Sequence, residues 1–253
     1  MLTDEHLDLF RQFRVRAMGG KLREIVDDPA YDPLTFEEKA RLMLDAEAEA
    51  RRNRKLEKLQ REARLKNPCA CVEDIACLDG RGIHRDRMAR LAECRWVDEA
   101  GVVVIISKTG GGKSYVAQAL AVAALRKMRT VRHARLQDLA GELDRCRSTD
   151  VVGYYEAMER YKCVDLLVID DFATTPVGTQ AAIDLFEICE ARDQRRATII
   201  ASQLEPNEWY LRIEGEPVAD SILNRLATGA TFIDIEGPNM REYLAKSREE
   251  AAS

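Results

Sequence analysis

The sequence lacks any long apolar run, and this absence removes two classes of protein. No stretch approaches the ~20 apolar residues that a membrane-spanning helix needs, so we expect no membrane partner. The first residues, MLTDEHLDLFRQF, start acidic and have no apolar core, so a secretory signal is not predicted. With 46% hydrophobic and 33% charged residues, the composition is that of a globular protein, and a cytoplasmic location is expected.

Disulfide and metal-site patterns are also scarce. Seven cysteines, an odd number, are scattered along the 253 residues, which is typical of reduced thiols in a cytosolic protein. Cys69, Cys71 and Cys77 cluster, but their C-x-C-x5-C spacing is a poor match to a zinc site. The three histidines lie far apart and near no acid–nucleophile pattern, so the sequence assigns them no role.

The charge is unevenly distributed around a net value of −5, which argues against an indiscriminate polyanion binder. Residues 51–66, RRNRKLEKLQREARLK, carry eight basic and two acidic residues. They belong to an N-terminal domain, residues 1–66, that is predicted to be helical. Within it, Thr35 and Glu38 form a capping-box pattern, and no Gly or Pro follows until Pro68.

From residue 101 the pattern changes to continuous apolar, β-branched runs that alternate with helical stretches. This alternation predicts an α/β domain, residues 101–253, with a parallel five-stranded sheet flanked by helices on both faces. Residues 67–100 are predicted to form a connector with a short helical stretch near 85–94. The predicted strands are 101–107, 130–136, 164–171, 197–202 and 230–236, and the predicted helices between them are 113–127, 136–146, 154–161 and 180–195.

Residues 107–114, SKTGGGKS, match all but the first position of the phosphate-binding loop G-x-x-x-x-G-K-[ST]. A buried strand precedes them and a helix follows, so backbone N–H groups and a helix N-terminus would meet an anion. Lys113 would reach the β- and γ-phosphates of ATP, and the Ser114 hydroxyl would ligate Mg²⁺. A glycine-rich turn without a ligand is the alternative, and it predicts neither Lys nor Ser here. The residues expected to contact the nucleotide are Thr109, Gly110, Gly111, Gly112, Lys113, Ser114 and Tyr115.

Two acids end the predicted strand VDLLVIDD, and the carboxyl ends of parallel strands line the ligand crevice. We expect Asp170 to hold Mg²⁺ through its water shell, and Asp171 to orient or deprotonate the attacking water. A solvated strand end is the alternative for this pair. Gln203 follows the next strand, ATIIAS, where its side chain could hydrogen-bond the γ-phosphate or the water.

Together these motifs resemble the AAA+ ATPases, and among them the IstB/DnaC group of transposition helpers and helicase loaders. The resemblance covers nearly the whole chain, because residues 35–65, VDLLVIDDFA, RRATIIASQL with Trp209, ADSILNRL and GPNMR follow in the family's order. It implies an AAA+ P-loop NTPase core that binds ATP and Mg²⁺. It also implies that Arg225 acts as an arginine finger in a neighbouring subunit, in a homo-oligomeric ring or spiral. The role of Arg241 in GPNMR stays open. Under this resemblance the catalytic residues are Lys113, Asp171, Gln203 (at the sensor position) and Arg225.

Three positions depart from the family's usual residues. Ser107 replaces the first loop glycine, Lys108 a common proline, and Ala173 a frequent glycine. If the first loop position requires a positive φ, Ser107 would cost about 1 kcal/mol. We therefore expect ATP binding to be retained and hydrolysis to be slow, with an ATP-binding scaffold that has no turnover as an alternative.

The resemblance implies an ATPase that oligomerises on duplex DNA and assists a transposase in target selection and DNA insertion. The alternative is a DnaC-like loader that binds a replicative helicase. No aromatic residues interleave the basic stretch, which disfavours stacking on single strands and favours contacts with the duplex backbone. From charge alone, a solvated helix face explains the stretch equally well. The residues expected to contact DNA are Arg51, Arg54, Lys55, Lys58 and Arg61.

Overall fold

The computed structural model of the protein describes residues 3–252, with side chains for residue 3 and residues 5–246. Contacts divide the chain into two compact units, Met1–Lys58 and Leu59–Ser253. The connector at residues 67–100 belongs to the second unit, so the division falls earlier than the expected boundary at residue 66. Within the described residues, no helix combines the length and apolar character that a membrane span requires.

The first unit is helical, as predicted. The predicted capping box begins its longest helix, because Glu38 N–H donates to Thr35 Oγ1 at 3.3 Å and Thr35 N–H donates to Glu38 Oε2 at 2.8 Å. The last residues of that helix lie in the second unit. The helices are α1 (Asp4–Gln12), α2 (Arg16–Asp27), a 3-10 turn (Pro29–Tyr31) and α3 (Phe36–Ala63).

The second unit is built on a five-stranded sheet whose neighbouring strands all run parallel, in the order β2-β3-β4-β1-β5. The structure thus confirms the five predicted strands and their parallel arrangement. The strands are β1 (Val102–Ser107), β2 (Val131–Arg135), β3 (Leu166–Phe172), β4 (Ala197–Ser202) and β5 (Thr231–Ile235).

Helices connect these strands and cover the sheet. The central strands are apolar throughout because both of their faces are packed, and Val104, Leu167 and Ile200 have no exposed surface. The sequence analysis did not predict α10, α11 or α12, which follow β4 and β5. The helices are α4 (Arg85–Ala92), α5 (Arg95–Asp98), α6 (Lys113–Arg126), α7 (Leu136–Thr149), α8 (Val151–Cys163), α9 (Thr179–Arg192), α10 (Pro206–Tyr210), α11 (Glu216–Ala227) and α12 (Met240–Ala252).

A buried tryptophan packs against the end of β3 and hydrogen-bonds the end of β4. Trp209 is fully buried, and its ring meets Phe172 edge to face with centroids 4.7 Å apart. Its Nε1 donates to Ser202 Oγ at 3.0 Å and to the Leu204 carbonyl at 2.9 Å, while Ser202 Oγ donates to the Phe172 carbonyl at 2.9 Å. Both strand ends are therefore held beside the residues that follow them, including Gln203.

We expect Trp209→Phe to lower the free energy of unfolding by about 1–3 kcal/mol, because it removes the indole donor and leaves a cavity. Urea denaturation followed by circular dichroism measures this. Leu211→Ala, a change at an 81% exposed side chain nearby, is the matched control and should stay within about 0.5 kcal/mol of the wild type. Equal stability of Trp209→Phe and wild type would show that the indole does not fasten these strands.

Candidate active site

The predicted phosphate-binding loop joins β1 to α6 at the carboxyl edge of the sheet. Gly110 and Gly112 have φ values of 83° and 98°, a region that side chains rarely adopt. A Cβ on Gly110 would also lie 2.3 Å from the side-chain oxygen of Asn239. These two positions therefore require glycine, both for the turn and for the close approach of the chain to the residues before α12.

Ser107 lies in the strand and not in the turn. It is the last residue of β1, pairs with Ile235 of β5 and is 4% exposed, with an extended backbone. A Cβ on Gly111 would lie 1.8 Å from Ser107 Oγ, so the serine is accommodated by the glycine opposite it. The condition for backbone strain at Ser107 is not met, and this reason for slow hydrolysis falls away. The rate itself stays a prediction.

The acid pair faces the loop, and each acid contacts one of the last two residues of the motif. Ser114 Oγ donates to Asp170 Oδ1 at 3.0 Å, and Lys113 Nζ lies 3.7 Å from Asp171 Oδ1. Lys113 is buried, whereas the side chain of Asp171 is 38% exposed. One acid is thus held against the helix start, and the other is open to solvent and beside the lysine.

A β-bulge brings both acids to the same side of the sheet. In the register of β3 and β4, Ile169 pairs with Ile200 and Phe172 pairs with Ser202, so the two acids between them face a single residue of β4. Strict alternation along a strand would point neighbouring side chains to opposite faces. The bulge, with Asp171 at φ 51°, removes that alternation at the acid pair.

Two residues of this site other than glycine have a left-handed φ: Asp171 and Ala173, the second at a position where the family often has glycine. Ala173 has a φ of 51° and is 1% exposed. A left-handed conformation at alanine costs about 1–2 kcal/mol. Of the three noted departures, Ala173 is thus the one with a left-handed backbone, and it lies two residues after Asp171.

His133 on β2 is a part of the site that the sequence analysis missed. Its Nε2 lies 3.6 Å from Asp170 Oδ2. Burial raises the pKa of Asp170, but contacts with His133, Ser114 and the Asp171 N–H outweigh it and hold the pKa below the usual value. Asp170 is therefore an anion at neutral pH although it is 2% exposed. The available sequence signal was a histidine within a predicted strand, TVRHARL.

The remaining loop contacts involve Gln203 and Tyr115. Thr109 Oγ1 donates to Gln203 Oε1 at 2.8 Å, so the expected sensor side chain reaches the loop. Tyr115, in the first turn of α6, accepts a hydrogen bond at its hydroxyl from the N–H of Cys71 in the connector, at 3.3 Å. Both residues thus border the loop in the ligand-free chain.

Arg225 lies away from its own phosphate loop. It lines a small cavity with Ala100 and Val102, at the amino end of β1, whereas the loop follows the carboxyl end. Its Nη2 bonds Glu190, and its guanidinium lies 5.3 Å from the Phe186 ring centre. A role in catalysis therefore requires the site of another subunit, as the sequence analysis expected, and requires release from Glu190.

The side chain of Arg241 is exposed, and its backbone N–H is bonded in the first turn of α12. Its N–H donates to Asn239 Oδ1 at 3.1 Å, and Met240 N–H donates to the Gly110 carbonyl at 2.9 Å. Asn239 thus caps α12, and the Met240 bond places the first turn of that helix against the phosphate loop.

The candidate DNA-binding residues are all exposed, and two of them, Arg51 and Arg54, bind a buried carboxylate. Glu47 is 5% exposed and accepts from the N–H groups of Ala17 and Met18 at the start of α2. Arg51 Nε and Arg54 Nη2 both bind Glu47, at 2.9 and 3.1 Å. These two arginines therefore help to hold the first unit together. The exposed candidates include Lys55, Lys58 and Arg61 as well.

The cysteine cluster does not form a metal centre in the described part of the chain. Cys69 is exposed, and Cys71 and Cys77 are partly buried free thiols. Within residues 3–252, no three His, Cys, Asp or Glu side chains group in a way that suits a metal ion. Ser114 and Asp170 instead offer the small oxygen donor set that is typical of Mg²⁺ bound together with phosphates and water.

Comparison with solved structures places this fold among AAA+ P-loop proteins. DnaI aligns with a TM-score of 0.57 at 21% identity over 69% of this chain and 92% of its own. The DnaC helicase loader aligns with a TM-score of 0.53 at 16% identity over 68% and 99%. AMPPCP-bound DnaA from Aquifex aeolicus aligns with a TM-score of 0.57 at 21% identity over 73% of this chain and 56% of its own.

Sequence comparison gives the family. A Sinorhizobium fredii protein described as an insertion sequence ATP-binding protein, y4pL, is 34% identical over 95% of this chain and 97% of its own length. A Pseudomonas fluorescens protein described as an ATP-binding protein of insertion sequence IS1162 is 31% identical over 81% and 87%. The profile of the family described as IstB-like ATP binding protein matches residues 9–250. The chain therefore belongs to the IstB-like ATP binding proteins.

Proposed function

We propose that this protein is an AAA+ ATPase that oligomerises on duplex DNA in the presence of ATP and assists a transposase in target selection and DNA insertion. The observation that carries the ATPase part is the pairing of Ser114 with Asp170 and of Lys113 with Asp171 at one edge of the sheet. The transposase part rests on the relatives, which are described as proteins of insertion sequences.

The loop and the start of α6 bind the phosphates in this proposal. Free N–H groups at the helix N-terminus and the ammonium of Lys113 attract the β- and γ-phosphates. The oxygens of Ser114 and Asp170 suit Mg²⁺, which neutralises phosphate charge when bound. Asp170 stays ionised beside His133, so its negative carboxylate could bind the cation without first losing a proton.

Hydrolysis depends on the residues around the γ-phosphate. Asp171 is partly exposed, so its carboxylate can hold a water molecule in line with the phosphate and accept its proton. Gln203 lies beside the loop, where its amide can orient the same water or the phosphate. Arg225 from a neighbouring subunit would stabilise transition-state charge once it leaves Glu190.

The proposed duplex contact uses the basic stretch of α3. Lysine and arginine side chains on one helix meet the phosphate backbone without reading sequence, and each contact adds to the salt dependence of binding. Arg51 and Arg54 also bind Glu47, so their replacement would mix a folding effect with a binding effect. The test therefore uses the exposed side chains of Lys55, Lys58 and Arg61.

Changing Lys55, Lys58 and Arg61 together to glutamine is expected to weaken duplex binding and to reduce the slope of log affinity against log salt by about two to three. Fluorescence anisotropy of a labelled duplex at several salt concentrations measures both. The matched control changes Arg11, Arg23 and Arg41 to glutamine, which removes the same charge from exposed side chains elsewhere in the first unit. If both triple variants lose the same slope, overall charge and not this stretch drives binding.

A helicase loader is the competing function, and the likeness to DnaC and DnaI is a likeness of fold alone. Co-purification distinguishes the two functions, because the proposal expects the tagged protein to retain a transposase in the presence of ATP and duplex DNA. Retention of the hexameric replicative helicase without the transposase would contradict it.

A further inference from the structure

Arg81, in the connector, is a buried cation beside the phosphate loop. It is 3% exposed, its Nη2 donates to the Gly111 carbonyl at 2.6 Å, and its Nη1 donates to the Ala76 carbonyl. Its Nε is buried and has no hydrogen-bond partner among the described residues. Within the same part of the chain, none of the ion pairs includes Arg81.

The fold brings three segments together around this side chain. The Arg81 carbonyl accepts from the N–H of Glu236 at 3.1 Å, so the connector is fastened to the end of β5. A Cβ on Gly237 would lie 3.6 Å from Arg81 Cγ, and a Cβ on Gly112 would lie 2.7 Å from Arg81 Nη2. Gly112 in the loop thus leaves the space that the guanidinium occupies, and Gly237 after β5 packs beside the aliphatic part of the side chain.

The bond to Gly111 fixes the orientation of one loop peptide. In a trans peptide the carbonyl and the following N–H point in opposite directions. Because the Gly111 carbonyl points to Arg81, the Gly112 N–H points to the other side, away from the connector. N–H groups of such a loop are the donors that bind phosphate oxygens, so Arg81 presets one of them before any nucleotide arrives.

The buried charge of Arg81 has no carboxylate partner among the described residues. Arginine keeps its charge in proteins, and a buried charge is normally paired because desolvation is costly. Burial lowers the pKa of Arg81, which reflects that cost. A polyphosphate bound to the loop would bring negative charge close to this guanidinium, which is one peptide group away.

We propose that Arg81 is a positioning residue for the phosphates of the nucleotide: it orients the Gly111–Gly112 peptide and supplies positive charge from behind the loop. The inference rests on the proposed function, since it assumes that the loop binds ATP. It adds a cation from outside the loop motif to the binding site, and it gives residues 76–82 of the connector a part in nucleotide affinity.

The test measures the affinity for ATP and for inorganic pyrophosphate by calorimetry, together with the thermal unfolding of the ligand-free protein. Arg81→Met is expected to lose about tenfold in affinity for both ligands. Arg81→Lys keeps the charge but not the planar fork, and should lie between Arg81→Met and the wild type. Loss for pyrophosphate places the effect at the phosphates and not at the base.

Arg192→Met is the matched control. Arg192 is also buried, at 2% exposed, and also donates to backbone carbonyls, those of Tyr161, Val164 and Ala197, but it lies at the amino edge of the sheet. It should change thermal stability without changing affinity. Wild-type affinity in Arg81→Met, or equal losses in Arg81→Met and Arg192→Met, would overturn the inference. Lys113→Ala distinguishes failure of the Arg81 inference from failure of the proposed function. If Lys113→Ala binds ATP normally, the proposed function itself fails.

Discussion

Replacing Lys113 with alanine is expected to lower the affinity for ATP by about a hundredfold or more, because a charge-assisted contact with phosphate is lost in a partly desolvated site. Lys113 is 7% exposed, and its Nζ lies 3.7 Å from Asp171 Oδ1. The carboxylate of Asp171 therefore holds the ammonium beside the phosphate loop. Titration of a fluorescent ATP analogue measures the loss, and ATP-dependent assembly on duplex DNA should disappear with it.

Lys108→Ala is the matched control for this change. Lys108 is an exposed lysine in the same loop, and its side chain is not part of the proposed phosphate contact. The control should bind ATP within a few-fold of the wild type. Normal ATP affinity in Lys113→Ala would contradict the proposed contact between Lys113 and the phosphates.

Changing Asp171 to asparagine is expected to lower kcat for ATP hydrolysis by about a hundredfold to ten-thousandfold, which is the usual range for losing a general base. ATP binding should persist, because Ser114, Asp170 and the loop are unchanged. Phosphate release under saturating ATP and DNA measures kcat, and the analogue titration measures binding on the same preparation.

Asp144→Asn provides the control, because Asp144 is 77% exposed on α7 and forms only a long pair with Arg147. It should hydrolyse ATP at the wild-type rate. Undiminished hydrolysis in Asp171→Asn would remove Asp171 from the mechanism. No measurable hydrolysis by the wild type in the presence of DNA would instead favour the ATP-binding scaffold.

The sheet and the central motifs were predictable because their signals are local. Continuous β-branched runs identify strands that are buried on both faces, and the start of α3 follows from Thr35 and Glu38 alone. The position of the acid pair beside the loop followed from the rule that carboxyl ends of parallel strands share one edge. Each of these inferences needed only a short stretch of sequence and a general rule.

The features that the sequence analysis missed depend on contacts between distant residues. Nothing local indicates that the acid pair forms a bulge, which appears only in the register between β3 and β4. The hydrogen bond from Arg81 to Gly111 joins the connector to the loop, and the ion pair of Arg225 with Glu190 joins α11 to α9. The positive φ considered for Ser107 occurs at Asp171 and Ala173 instead, because strand pairing with β5 sets the backbone of Ser107.

The basic stretch shows how one residue type can have two uses. Charge density alone favoured DNA contact and a solvated face equally, yet Arg51 and Arg54 turn toward the buried Glu47. Glu47 in turn accepts the N–H groups that begin α2, so removing either arginine would leave a buried carboxylate less well compensated. The DNA-binding proposal therefore depends most on Lys55, Lys58 and Arg61.

Sedimentation of the protein with a long duplex, with ATP, with ADP and without nucleotide, tests the central claim most directly. We expect the wild-type protein to form a large protein–DNA assembly with ATP and to lose it with ADP. The Lys113→Ala and Arg225→Ala variants are expected not to form this assembly with ATP. The same assembly in all three nucleotide conditions, or a single protomer on DNA with ATP, would contradict it.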